Sequence, residues 1–114
     1  MVRRSQNTQV RSVQAEEALR LFAALLEEAR RRRAMPQTEL AERAGISRTT
    51  LRQVLRGSPT AAIGVYFEIA VLVGVPLFSP DEVELQRAIA RSTQMLALLP
   101  KHIHPQQEDG DADF

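Results

Sequence analysis

Between Pro36 and Gly57 the chain has room for two short helices and a sharp corner, and for little else. Gln37-Thr-Glu-Leu-Ala-Glu-Arg-Ala44 is about two helical turns long and runs into Gly45, a residue that tolerates positive φ. Ser47 is suited to cap a second helix, Arg48 to Arg56, which Gly57 ends. For two short helices to cross closely, the residue facing the second helix must be small, and Ala41 stands there. Leu40, Ala44 and Ile46 close the inside of the corner, and Leu51 and Val54 bury the second helix against the first. All of these places hold suitable residue types within 20 residues, which is more specific than any lone glycine or charge cluster.

The flanking segments also read as helices. From near Gln14, Ala18, Leu19, Phe22, Leu25, Leu26 and Ala29 recur at three- and four-residue steps, the spacing of a helix that buries one stripe. Glu16 and Glu17 lie in its first turn and Arg30 to Arg33 in its last, a polarity the helix macrodipole favours, and Pro36 is expected to stop it. After the turn at Ser58-Pro59, a helix from about Gly64 to Val73 is apolar nearly all round, so it belongs in a core or against a partner. Ser79-Pro80-Asp81-Glu82 is expected to open a last helix, with Ser79 as its cap and a stripe of Leu85, Ala88, Ile89, Ser92, Met95, Leu96 and Leu99 that Pro100 ends. No segment alternates with period two. The expected fold is all-α, a compact five-helix bundle with disordered tails. It divides into a flexible basic arm (1–12), a corner-bearing domain (13–78), a C-terminal helix for dimerisation or partner contact (79–100) and a disordered acidic tail (101–114).

Charge is unevenly placed. The formal net charge is +1, yet residues 1–57 carry twelve Arg against six acids, and residues 58–114 carry three basic residues against eight acids. A basic half beside an acidic half points to a nucleic-acid face with a solvating or competing segment. Cysteine is absent, which excludes disulfides and thiolate metal sites. His102 and His104 stand in a proline-rich tail with no fixed carboxylate nearby, so no metal is expected; no cofactor is expected either. Phosphate-binding loops and metalloprotease patterns are missing, and the chain is not expected to be an enzyme. With no apolar run near the ~20 residues of a membrane span and no apolar leader, a soluble cytoplasmic protein is expected, without membrane contact.

The stretch Gln37-Thr-Glu-Leu-Ala-Glu-Arg-Ala-Gly-Ile-Ser-Arg-Thr-Thr-Leu-Arg-Gln-Val-Leu-Arg-Gly57 resembles the Xre and phage-repressor-type helix-turn-helix domains. Its continuation, Gly57-Ser-Pro through Ile63-Gly64-Val65-Tyr66 to Leu72-Val73-Gly74-Val75-Pro76-Leu77-Phe78, is similar to the HipB-like subgroup. That resemblance implies an antitoxin and autorepressor whose partner is a HipA-like kinase toxin. One departure stands out. The family commonly places Glu at the position of Leu55, paired with an Arg late in the first helix, here Arg30; Leu55 cannot pair, which leaves Arg30 free for phosphate or solvent. Pro36 replaces the usual capping Ser or Thr.

In helix-turn-helix geometry the second helix enters the major groove with its N-terminal side chains at base edges. Arg48, Thr49, Arg52 and Gln53 are the expected base contacts, since Arg suits guanine and Gln suits adenine, at roughly 1–3 kcal/mol per bidentate pair. Gln37, Ser47, Thr50, Arg56, Arg31, Arg32 and Arg33 are the expected phosphate contacts. One such domain reads few base pairs, so a homodimer on inverted half-sites of duplex operator DNA, about 34 Å apart, is expected. Its interface, or a partner's, is expected at Phe67, Val71, Phe78, Leu85, Ile89, Leu96 and Leu99. The leading function is therefore a sequence-specific repressor acting as an antitoxin. A stand-alone, prophage-like regulator and a protein-interaction scaffold that never touches DNA stay open as alternatives.

Overall fold

Five helices follow one another as the spacing requires: α1 (Val13–Arg32), α2 (Gln37–Ala44), α3 (Arg48–Leu55), α4 (Ile63–Val73) and α5 (Glu82–Leu98). This computed structural model describes residues 12–79, 81–103 and 105, and among the described residues there is no strand, as the all-α reading expected. The basic arm up to Arg11, Pro80, His104 and residues 106–114 of the acidic tail lie outside the described residues. The described residues up to Phe78 form one compact unit and those from Ser79 onward a second. No helix is long and apolar enough to cross a membrane.

Ser12 caps α1 by accepting a hydrogen bond from the Ala15 N–H at 3.1 Å. The buried stripe of α1 differs from the one the apolar spacing proposed. Ala23 and Leu26 are buried and Leu19, Phe22 and Ala29 half-buried, whereas Ala18 and Leu25 face solvent. At about 100° per residue, a face centred on Leu19, Ala23 and Leu26 also carries Arg30 inward. α1 ends at Arg32, earlier than Pro36 alone would require. Ala34 takes a left-handed φ of 51°, and the N–H groups of Ala34 and Met35 bond to the carbonyls of Arg31 and Arg30. Met35 then turns into the core.

The inward turn of Arg30 corrects the expectation that it is free. Its Nε and Nη2 donate to Glu27 Oε1 and Oε2 at 2.9 and 2.7 Å, and its Nη1 donates to the Met35 carbonyl at 2.7 Å. Its side chain is only 13% exposed. These hydrogen bonds hold the Glu27 carboxyl below the usual carboxylate range against burial, which pushes the other way, with Arg31 adding to the lowering. They also push the Arg30 guanidinium above its ordinary value. Arg30 therefore ties the end of α1 to the loop that leads into the corner.

The core of the first unit gathers Leu26, Met35, Leu40, Ala41, Leu51, Val54, Tyr66, Ile69, Ala70 and Val73. α4 contributes one fully buried face (Tyr66, Ile69, Ala70, Val73) and packs against α1 and α2. It is therefore a core helix, although Ile63 and Val71 remain exposed on its other side. Tyr66, 1% exposed, stacks on Phe22 with ring centroids 5.7 Å apart, and its hydroxyl donates to the Ser58 carbonyl at 2.7 Å, fixing the loop after α3. In the second unit, Asp81 rather than Ser79 caps α5, its carboxylate accepting from the Val83 N–H at 2.9 Å. Ser79 instead accepts from the Asp81 N–H, and this short local bond moves the cap two residues on.

Two outcomes follow. Glu27 gains its stabilising partners as a carboxylate, so its contribution is present above the ordinary carboxylate value of about 4.5 and is lost as pH falls through the depressed folded value. Urea unfolding of the wild type is expected to weaken steeply below that pH, whereas Glu27→Gln, less stable at neutral pH by about 1–3 kcal/mol, shows a flatter acid profile. Ala34→Gly relieves the left-handed backbone and is expected to raise stability by about 0.5–1 kcal/mol in the same assay.

Candidate nucleic-acid interface

α2 and α3 meet at the corner as their residue types require. Leu40 is fully buried and Ala41 4% exposed at the crossing, with Leu51 and Val54 fully buried beneath α3. Ala44 and Ile46 pack half-buried against this core. Gly45 ends α2 at a φ of 70°, and the Ile46 N–H bonds back to the Ala41 carbonyl at 3.0 Å. A Cβ added at Gly45 would meet nothing within 4 Å, so glycine is needed there for its backbone conformation and not for space.

Ser47 caps α3. Its Oγ accepts from the Thr50 N–H at 3.0 Å and donates to the Thr50 hydroxyl at 3.1 Å. This locks the first turn and directs Arg48 and Thr49 away from the core. Because Leu51 and Val54 point inward, Arg48, Thr49 and Arg52 share the opposite, exposed edge, within an arc of about 100°. Gln53 sits half-buried at the border of that arc, and Arg56, the C-cap of α3, is exposed. Thr50 is half-buried behind the cap. Gln37 opens α2 behind Pro36, which offers no side-chain cap, so the N–H groups of the first turn have no intrahelical acceptor.

The arginines fall into two groups. Arg31 donates to Glu27 at 2.6 Å and Arg32 to Glu28 at 2.5 Å, with guanidinium-bearing side chains 73% and 77% exposed. Arg20 pairs with Glu17, and Arg43 with Glu39 at 3.0 Å. Arg33 lies against Gly74, the C-cap of α4, so closely that a Cβ there would overlap its guanidinium. By contrast, Arg48, Arg52 and Arg56 have no ion pair among the described residues, and α3 contains no acid. The anchoring role of Arg30 escaped sequence reasoning. The signal was there: Glu27 and Glu28 precede the run by three or four residues, the spacing of intrahelical pairs.

Of the residues expected at an interface between chains, Val71 and Phe78 are 66% and 94% exposed, Leu85 is half-buried, and Ile89, Leu96 and Leu99 are exposed. Phe67 is half-buried and sets its ring edge to Phe22 at 6.4 Å, within the first unit. Among the described residues no three His, Cys, Asp or Glu side chains gather as a metal site would need.

A tight two-helix corner that turns one arginine-bearing helix edge to solvent defines a helix-turn-helix protein. A family model described as a helix-turn-helix domain matches residues 21–86, more than half of the chain, and the chain belongs to that family. No curated protein and no solved structure matches it.

The corner makes a paired stability prediction. Gly45→Ala, paying only for its backbone, is expected to cost about 1 kcal/mol. Ala41→Leu, forced into the closed crossing, is expected to cost about 1–3 kcal/mol. Urea midpoints of the two variants check the order.

Proposed function

We propose that the chain is a sequence-specific DNA-binding repressor that reads operator DNA through the exposed edge of α3. The observation that carries this reading is the solvent-facing set Arg48, Thr49 and Arg52, on a helix without acids and without competing ion pairs. Laid in a major groove, Arg48 and Arg52 are the donors for guanine O6 and N7, and Thr49 offers a hydroxyl and a methyl suited to thymine. Gln53, at the border of the edge, serves adenine. Gln37 with the open first turn of α2, Ser47 and Thr50 at the cap of α3, and Arg56 beyond it hold the phosphates on either side. Arg31 and Arg32 add long-range positive potential and meet a phosphate only by exchanging a glutamate for it. Arg33, exposed beside Gly74 and without an ion pair among the described residues, is open to a phosphate.

A single corner reads too little sequence for an operator, so the working form is a homodimer on two half-sites about 34 Å apart. The resemblance of residues 57–78 to HipB-like antitoxins supports a further step, in which the repressor also neutralises a HipA-like kinase and controls its own operon. A kinase-like protein encoded beside this chain, and a complex of the two, would establish that step. A stand-alone regulator is the reading if neither exists.

Fluorescence anisotropy with the DNA upstream of the chain's own coding sequence tests the proposal. Log affinity is expected to fall linearly with log salt. Arg48→Ala and Arg52→Ala are each expected to reduce discrimination between operator and random duplex by about 1–3 kcal/mol, whereas Arg32→Ala weakens both duplexes alike. Equal losses on both duplexes for all three variants, or no duplex binding at low salt, would overturn the reading.

A further inference from the structure

α5 is a 17-residue helix of which no residue is buried. An isolated helix of that length is marginal in water, so its apolar stripe needs a cover. The stripe is regular. Leu85, Ile89, Ser92, Leu96 and Leu99 follow one another at steps of four, three, four and three, the 3.5-residue average repeat of a coiled-coil seam. Ile89, Leu96 and Leu99 are 64%, 69% and 52% exposed.

We propose that α5 pairs side by side, in parallel, with α5 of a second copy of this chain. Ile89 and Leu96 then take the a positions and Leu85 and Ser92 the d positions, with Leu99, the C-cap just past the helix, closing the end. Two features select a second copy as the occupant. Ile89 at a with Leu85 at d is the residue choice of two-stranded parallel seams. The flanking positions are Gln86 and Thr93 on one side and Ala88 and Met95 on the other, all uncharged, so from Leu85 onward a copy meets no like charge along the seam. Arg87 sits on the outer face, paired with Glu84 at 3.0 Å. Ser92, small and polar at mid-seam, faces its own counterpart only in the parallel register, where the two hydroxyls hydrogen-bond. Glu82 takes an a position at the open end and repels its copy, so pairing begins at Leu85.

The inference rests on the dimeric reading above and gives it a surface. Parallel pairing also brings both chains into the seam at the same end, so both first units are tethered together, as two half-sites on one duplex require. With only two heptads in the helix, the seam is weak, so the dimer depends on concentration.

The test uses the full chain without DNA. The sequence has no cysteine, so a single introduced thiol is an unambiguous reporter. Sedimentation equilibrium is expected to show a concentration-dependent dimer, and the double variant Ile89→Asp/Leu96→Asp, on an exposed face, a monomer with an unchanged Tyr66 signal. A disulfide needs Cα atoms within about 7 Å, so Ile89→Cys and Leu96→Cys are each expected to cross-link to themselves under mild oxidation, while Arg87→Cys does not. Three results would sink the proposal: a monomer at every accessible concentration, cross-linking of Arg87→Cys as fast as Ile89→Cys, or cross-linking only when Ile89→Cys and Ser92→Cys chains are mixed, the a-to-d contact of an antiparallel pair. Each leaves the duplex affinity of α3 to be judged separately by anisotropy.

Discussion

The burial of Leu51 and Val54 sets the orientation of everything that matters on α3. Both side chains are fully enclosed, in one cluster with Leu26, Leu40, Tyr66 and Ile69, and each contributes about 1.5–3 kcal/mol by leaving water. A close-packed interior allows α3 little rotation without opening a void on one side and a clash on the other. The outward direction of Arg48 and Arg52 is thus a consequence of two apolar residues on the far side of the same helix. Ala41 makes the crossing close, Gly45 supplies the turn and Ser47 starts the helix at the right residue. Each acts through where it leaves that edge.

Arginine is put to two opposite uses in this chain. Along α1 and α2, glutamates three or four residues earlier hold the guanidinium groups, so charge is neutralised within the helix that carries it. Exposed pairs of that kind are worth about 0–1 kcal/mol, so Arg31 and Arg32 are only loosely held. Arg30 is not, because its pair is nearly enclosed and its third bond secures the Met35 carbonyl. On α3 the same residue type has no acid within reach along its helix, and its charge is left facing outward. Local sequence context, more than arginine content, decides which charges an anionic partner meets.

Much of this was legible in advance. The corner residues and the helix ends at Gly45, Gly57 and Gly74 follow from side-chain size, φ tolerance and capping, which are local properties. The buried face of α1 was harder, because apolar residues occur around most of that helix. Leu25 and Ala18 keep helical spacing yet face solvent, and tertiary packing chose the face that includes Arg30 instead. The left-handed turn at Ala34 was hidden for the same reason: nothing local favours alanine there, and it is held by the docking of Met35. At α5 the cap moved from Ser79 to Asp81, since two candidate acceptors stand two residues apart and propensity alone does not rank them. At the candidate interface, the positions of Arg48, Thr49 and Arg52 could be read from the corner, but the packing of the Arg33 guanidinium over Gly74 depends on a glycine in a distant helix.

The enclosed phenol of Tyr66 has an optical consequence. The chain has one tyrosine and no tryptophan, so its near-ultraviolet absorbance and emission come largely from a ring stacked on Phe22 and bonded to the Ser58 carbonyl. Burial pushes that phenol above its ordinary ionisation range, so phenolate absorbance in alkali reports the opening of the surrounding packing more than simple deprotonation. α5 has no such chromophore. Tyrosine spectroscopy therefore follows the first unit alone while circular dichroism sums both, and any gap between the two melting curves measures how far the second unit comes apart independently.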